Sequence, residues 1–410
     1  MHDLLHVEVC QRVDSLLTIT EISELVQAEL DSMDEVVLNK PMLPENFSIE
    51  ILKTHVQSIC CSCGQEEKTH TKLRSHDIKL HIYRMNQEEA AVETMHKDGE
   101  EISAAAHWIL PSEEFFGLWE NLFYDSGVKE NLLNFVETAM MFSEQKVNHH
   151  IISWNKVILL YGPPGTGKTS LCKALAQKLA IRFGDRFTRG ELVEINSHSL
   201  FSKWFSESGK LVMNLFSEIR ALLEDPKALV CILIDEIESL AHTRKACTNG
   251  TEPSDSIRVV NALLTQLDSI KRFPNALILT TSNLTEAIDL AFIDRADIKQ
   301  YISFPNEQAI YKIYSTCVEE LMRTGFIEAE EIYEMAHLKM MGYEETSKTK
   351  HSLMLFELCR ESVGLSGRAL RKIPFLAQAL FLQTKHCSFT KYLRAMHLAV
   401  QRQKETCFEC

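Results

Sequence analysis

The run Gly162-Pro163-Pro164-Gly165-Thr166-Gly167-Lys168-Thr169 constrains what this chain can fold into more than any other stretch. It follows the apolar run Val157–Tyr161 and leads through Ser170 into a helix-like pattern over 170–179. A strand, a glycine-rich turn and a helix in that order are what a phosphate-binding loop requires. The glycines let successive backbone N–H groups turn inward on anionic oxygens, and the helix adds its positive N-terminal end. Lys168 is placed to reach the β- and γ-phosphates, and the Thr169 hydroxyl to bind Mg²⁺. Gly162 to Ser170 is therefore expected to bind a nucleoside triphosphate.

The surrounding pattern supplies a fold for such a loop. From about 107 to 304, apolar runs at 157–161, 192–195, 229–234 and 276–281 alternate with amphipathic segments. A mostly parallel sheet covered by helices on both faces is expected. Pro305 breaks that pattern. Beyond it, periodic Leu, Met and Ala at 309–324, 352–362, 368–384 and 391–404 predict a small helical domain. The first hundred or so residues are mixed: 78–82 alternates like a strand, and the acidic, polar 86–101 reads as a loop or linker. The expected organisation is a separate mixed α/β domain over 1–105, an α/β module over 106–305 and a helical lid over 306–410.

Composition narrows the partners. A length of 410 residues suits two or three domains. The formal net charge of −14 makes the average surface repel nucleic-acid phosphates, so no direct nucleic-acid binding is expected. No segment approaches the ~20 apolar residues that span a bilayer, and the opening residues lack a signal peptide's apolar core. No membrane association is expected, and the twelve cysteines read as reduced thiols of a cytosolic or nuclear protein. Cys60, Cys61 and Cys63 lie near His55 and His70, and Cys60 and Cys63 have half the spacing of a zinc knuckle. No second pair follows at a matching distance, so structural or surface thiols are the expectation.

Val230-Cys231-Ile232-Leu233-Ile234-Asp235-Glu236 reads as a buried strand ending in two carboxylates. Open α/β sheets place their ligands at that end of their strands. Asp235 suits the Mg²⁺ shell, and Glu236 suits a general base that polarises attacking water. A further apolar strand ends in Thr281-Ser282-Asn283. Asn283 either orients that water beside Glu236 or caps a helix over 284–292. Upstream, Ser202-Lys203-Trp204-Phe205-Ser206-Glu207-Ser208-Gly209-Lys210 sets two large aromatics in a polar run. Core aromatics usually come with a periodic apolar face, which is missing until Leu211.

Phosphate loop, Asp-Glu strand, Asn-ended strand and then Asp289-Leu290-Ala291-Phe292-Ile293-Asp294-Arg295 resemble, in that order, the AAA+ ATPases. The resemblance implies ATP as substrate with Mg²⁺, and places Arg295 against the γ-phosphate held by a neighbouring subunit. An arginine supplied in trans stabilises transition-state charge and makes hydrolysis depend on assembly. Many members carry a second arginine shortly afterwards, where this chain has Asp297 and Lys299. Gly364-Leu365-Ser366-Gly367-Arg368 resembles the sensor-2 motif, which implies that Arg368 of the lid touches its own subunit's nucleotide. Trp204 and Phe205, flanked by Lys203 and Glu207, match the pore loop that grips an unfolded segment. Large aromatics offer contact area to any side chain with little entropy loss. The Gly- and Pro-containing 244–258 reads as a loop, either the second pore loop or a plain insert.

The stretches 196–210, 250–261 and 294–301, with His107-Trp108-Ile109-Leu110-Pro111 and Glu114-Phe115-Phe116-Gly117-Leu118-Trp119, are similar to the pachytene checkpoint protein 2 family. That resemblance implies homohexameric rings that open HORMA-domain proteins by pulling on an N-terminal segment. The implied substrates are mitotic arrest deficient 2-like proteins, presented by a HORMA-type adaptor, and meiotic chromosome-axis HORMA proteins. The implied location is nucleus and cytoplasm, at chromosomes or kinetochores of dividing or meiotic cells. The first 105 residues then receive the substrate–adaptor complex. A nucleotide-dependent scaffold without processive remodelling is the other reading. Glu236 opposes it, because a pure switch needs no general base.

Overall fold

The computed structural model describes residues 4–64, 70–73, 76–97, 100–125, 127–196, 208–238, 255–283 and 290–408. They divide into two compact units. One comprises Met1–Glu120, Ser126–Tyr161 and Thr169–Gln300; the other comprises Asn121–Asp125, Gly162–Lys168 and Tyr301–Cys410.

The first unit opens with β1 (Leu4–Gln11) and α1 (Ile19–Asp31). Thr18 starts α1 with a reciprocal cap: its hydroxyl accepts the Glu21 N–H at 3.3 Å while Glu21 accepts the Thr18 N–H at 2.8 Å. There follow β2 (Glu35–Val37), β3 (Pro41–Met42), α2 (Glu50–His55), β4 (Val56–Ser62), β5 (His70–Lys72) and β6 (Asp77–Arg84). β1 pairs antiparallel with β4 and parallel with β6, and Ile22, Val26 and Leu30 of α1 share its core. Glu29 of α1 is wholly buried, yet its carboxylate accepts from Ser48 N at 2.6 Å, Ser48 Oγ at 2.8 Å and Ile49 N at 2.9 Å. Two backbone N–H groups just ahead of α2 and one hydroxyl thus satisfy the buried charge.

Residues 87–90 are irregular, as expected, but strands β7 (Ala91–Lys97) and β8 (Glu100–Leu110) overturn the expectation of a loop or linker over the rest of 86–101. They form an antiparallel hairpin at the edge of a seven-stranded sheet. An edge strand tolerates charged and polar residues, so composition misleads there. The boundary expected at 105/106 falls inside β8.

That sheet is completed by β9 (Val157–Tyr161), β10 (Arg189–Asn196), β11 (Ala228–Asp235), β12 (Ala276–Ser282) and β13 (Ile298–Tyr301), in the order β13-β9-β12-β11-β10-β8-β7. Its helices are α3 (Val128–Glu144), α4 (Lys168–Arg182), α5 (Ser208–Leu223), α6 (Asp255–Ile270) and α7 (Leu290–Arg295). β9, β12, β11 and β10 are parallel, as expected, and β8 runs antiparallel to β10. Val230, Ile232 and Ile234 pack with Val212 and Phe216 of α5 and Leu263 and Leu267 of α6. Cys231 and Leu233 alternate to the opposite face and are fully buried too, as a central parallel strand requires.

A buried charge network joins the N-terminal sheet to α4. Lys178 Nζ donates to Glu8 Oε2 at 2.6 Å and to Glu120 Oε1 at 3.1 Å. Arg182 reaches Glu8 and Glu137 at 3.4 Å and Ser62 at 3.1 Å. Burial alone would raise the Glu8 carboxyl, but Lys178 and Arg182 outweigh it and hold it below the usual carboxylate range.

The second unit is helical beyond Pro305: α8 (Glu307–Arg323), α9 (Met335–Met340), α10 (Lys350–Glu361), α11 (Gly367–Ala377) and α12 (Phe389–Phe408). Asn306 caps α8 by accepting the Ala309 N–H at 2.9 Å. Ile310, Tyr314, Leu355, Ile373, Tyr392 and Met396 share its core. The single helix expected over 368–384 instead ends at Ala377 and continues as a π turn, Gln378–Leu382. Among the described residues no helix is long and apolar enough to cross a membrane.

Candidate active site

The glycine-rich loop Gly162–Lys168 belongs to the second unit. Gly162 has φ +145°, and a Cβ there would collide with the Ile302 carbonyl oxygen. Gly165 has φ +75°, and a Cβ would lie 2.9 Å from Ser366 Oγ. Only glycine combines that backbone with that closeness. Arg368 N donates to Gly165 O at 3.0 Å, so the start of α11 sits directly on the loop. The Arg368 side chain is exposed there. Thr166 Oγ1 donates to Pro163 O at 2.9 Å, while Pro164 is exposed. Lys168 is buried, and its ammonium donates to Gly162 O at 2.9 Å and Pro163 O at 2.7 Å. It lies on the loop's own carbonyls, within the turn that is to receive phosphate. Tyr124, which sequence reasoning missed, donates to Gly167 O at 3.1 Å.

In the first unit, Thr169 and Ser170 lie in the opening turn of α4 and are half-buried. Thr169 Oγ1 donates to Asp235 Oδ1 at 2.8 Å, and the Thr281 hydroxyl donates to the same oxygen. Glu236 follows β11 in the left-handed region, φ +56°, with its N–H donating to Thr281 Oγ1 at 3.1 Å. Its carboxylate is exposed and accepts from Asn283 Nδ2 at 3.0 Å. Asn283 N donates in turn to Glu238 Oε1 at 2.9 Å. Asn283 contacts Glu236, the carboxylate beside which it is expected to orient water; of the helix it would otherwise cap, expected over 284–292, residues 284–289 lie outside the described residues. Thr281 and Glu238 were not legible, since a threonine within an apolar run signals only β-propensity. For Mg²⁺ the residues fit: a hydroxyl and a carboxylate in contact offer hard oxygen donors, which phosphate oxygens and water complete.

Arg295 ends α7 and is held side-on by Asp268 of α6, with Nε to Oδ1 at 3.0 Å and Nη2 to Oδ2 at 2.8 Å. That hydrogen bond outweighs burial, which acts in the opposite direction, and keeps the Asp268 carboxyl below its ordinary value. Asp297 holds the chain around Arg295: its carboxylate accepts from Asn155 N at 2.8 Å and Val157 N at 3.2 Å, and Asn155 Nδ2 donates to Arg295 O at 3.1 Å. Where the resemblance expects a second arginine, this chain places a structural clasp.

Lys203, Trp204, Phe205 and Glu207, expected as a pore loop, lie outside the described residues, as does most of 244–258. Residues 255–258 are helical, opening α6. Cys60, Cys61 and Cys63 are buried around the end of β4. Burial pushes the Cys61 thiol up to about 12 and raises Cys60 well above its ordinary value, a condition that suits packing more than ligation.

A parallel sheet with a glycine-rich loop, an Asp-Glu pair and an amide at successive strand ends, and a helical C-terminal unit, is an AAA+ ATPase. Family models agree across the chain. "TRIP13 N-terminal domain" matches residues 2–88, "ATPase family associated with various cellular activities (AAA)" matches 158–304, and "TRIP13-like, AAA+ ATPase lid C-terminal domain" matches 306–404. The pachytene checkpoint protein 2 homolog of Gallus gallus is 49% identical over 405 residues, covering 98% of this chain and 93% of the relative. The solved structure of C. elegans PCH-2 superposes with a TM-score of 0.78 at 34% identity, covering 98% of this chain and 99% of that one. An E. coli HORMA:CdnC:Trip13 complex shares the fold at a TM-score of 0.51 and 19% identity, over 71% of this chain and 94% of that one. The chain belongs to the pachytene checkpoint protein 2 family, and it is an ATPase.

Proposed function

We propose that this ATPase works as a homohexameric ring that opens HORMA-domain proteins by drawing an N-terminal substrate segment into a central pore. The observation that carries the chemical part is the hydrogen-bonded series Thr169–Asp235–Thr281–Glu236–Asn283. Backbone N–H groups of Gly162, Gly165, Thr166 and Gly167 face the phosphates of ATP, with Pro163 and Pro164 shaping the turn and Ser170 extending the helix start. Lys168 neutralises the β- and γ-oxygens. Thr169 and Asp235 would hold Mg²⁺, whose chemistry there would be to neutralise charge on the phosphate oxygens. Glu236 takes a proton from water as its oxygen attacks the γ-phosphorus, and the bond to the β–γ bridging oxygen breaks, leaving ADP. Asn283 fixes the Glu236 carboxylate for that task through its amide N–H. Arg295, steadied by Asp268, stabilises the transition state on a neighbouring subunit, and Arg368 contacts the nucleotide of its own.

The substrate assignment rests on family membership and on the E. coli assembly of the same fold, which pairs HORMA with Trip13. Mitotic arrest deficient 2-like proteins with a HORMA-type adaptor, and meiotic axis proteins, are the substrates proposed. They place the ring in nucleus and cytoplasm, at chromosomes or kinetochores. Residues 1–105, including the sheet of β1, β4 and β6, receive the substrate complex. Trp204 and Phe205, between Lys203 and Glu207, grip the segment. Trp204→Ala is expected to keep basal ATPase within about twofold, because a pore side chain touches no reacting atom, while conversion of a closed HORMA substrate is lost. Conversion at the parent rate would remove the pore assignment.

A further inference from the structure

We infer that Thr281 is a positioning residue that sets both acidic groups of the hydrolytic site at once; this rests on the reading of Asp235 and Glu236 above. Thr281 lies near the end of β12 and is only 1% exposed, so its hydroxyl can be satisfied only by protein. A hydroxyl has one donor and two acceptor positions. Here the donor goes to Asp235 Oδ1, and an acceptor position takes the Glu236 N–H at 3.1 Å. The Thr281 carbonyl also accepts the Ile237 N–H at 3.0 Å. One residue thus grips three successive positions of the neighbouring chain.

The placement explains two features. β11 and β12 pair in parallel register as far as Ile234 and Thr280, so the next residues lie beyond the regular ladder. There Glu236 adopts φ +56°, which a side-chain-bearing residue holds only when its surroundings over-determine it. The N–H of Glu236 bonded to a side chain, and that of Ile237 bonded to a main-chain carbonyl, supply this constraint. Meanwhile Asp235 Oδ1 receives both Thr169 and Thr281 hydroxyls, which fixes the carboxylate plane. Neither contact touches a reacting atom, so Thr281 acts through Asp235 and Glu236.

Thr281→Val keeps shape and removes both hydrogen bonds; Thr281→Ser keeps the hydroxyl. Binding of a fluorescent ATP analogue would be measured with Mg²⁺ and with EDTA, alongside ATP turnover, for the parent, both variants and Glu236→Gln. In Thr281→Val, the gain in nucleotide affinity that Mg²⁺ confers should shrink about tenfold, and kcat should fall about 10- to 100-fold, the scale of losing hydrogen bonds to a charged group. Affinity in EDTA should stay within about twofold, since the phosphate loop is untouched, and Thr281→Ser should restore both quantities. A Thr281→Val protein with parent kcat and parent Mg²⁺ gain overturns the inference. If that variant fails a circular-dichroism check of folding, Thr281→Ala is read in the same way. A Glu236→Gln protein at the parent rate would instead overturn the assignment of the base, whatever Thr281 does to Mg²⁺-dependent binding.

Discussion

Asp268 and Arg295 show how a single contact decides what a charged side chain can do. The guanidinium is gripped along one edge by two charge-assisted bonds of 3.0 and 2.8 Å, a geometry that fixes direction as well as position. Lys271 also reaches the same carboxylate, at 3.0 Å. If Arg295 serves a neighbouring subunit, its aim depends on this pair. Asp268→Ala is expected to lower ATP turnover of the assembled protein about tenfold while leaving nucleotide affinity within about twofold, as an interaction used only in the transition state should. Steady-state ATPase and fluorescent-nucleotide titration check it; unchanged turnover would detach the pair from the chemistry. At this scale Asp235, Glu236 and Asn283 are legible in the sequence because they stand where apolar strands end. Asp268 and Thr281 are not, since one resembles a solvated helix face and the other a β-branched strand residue, and only folding brings them to their partners.

The legibility of elements follows solvent exposure. β9, β11 and β12 are continuous apolar runs because both faces of a central parallel strand are covered, and they announce themselves. β7 is the edge strand of the sheet, and its polar composition, with that of the first residues of β8, reads as a linker. β1 is concealed for another reason: it carries Glu8 and His6, polar residues whose partners lie on α4 and β6. His6 and His81 stack at 5.2 Å with Nδ1 and Nε2 2.9 Å apart, one ring donating to the other. Burial, then Arg182, lowers His6 from 6.5 to about 3; burial, only partly offset by Glu8, lowers His81 from 6.5 to about 4. Both rings stay neutral in the fold at pH values where the unfolded chain takes up protons. The unfolded state then binds more protons, so stability present above pH 6.5 is lost as the pH falls from there toward 4. Glu8, depressed from 4.5, adds a loss of the same sign lower down. Thermal melts should show Tm falling between pH 6.5 and 4.5, and a His6→Gln, His81→Gln double variant should flatten that fall. A parent Tm that is level across this range would contradict the account.

For the molecule as a whole, a phosphate loop, an Asp-Glu strand beside an Asn-ended strand and family matches at both ends of the chain converge on an AAA+ ATPase. The order of parts was legible because the motifs follow one another along the chain. The joining of the N-terminal sheet to α4 was not, because Glu8, Lys178 and Arg182 are far apart in sequence and each alone reads as a surface charge. That network connects the proposed receiving domain to the helix that begins at the phosphate loop. In the proposed mechanism, hydrolysis by Glu236 drives the opening of a HORMA protein. ATP turnover and conversion of a closed mitotic arrest deficient 2-like protein with its adaptor, measured together for the parent and Glu236→Gln, test it most directly. Parent turnover should rise with the complex and the substrate should open, whereas Glu236→Gln should bind ATP and hold the complex while turning over about 100-fold more slowly or worse. Parent-rate hydrolysis by Glu236→Gln, or full opening of the substrate without hydrolysis, would contradict the account.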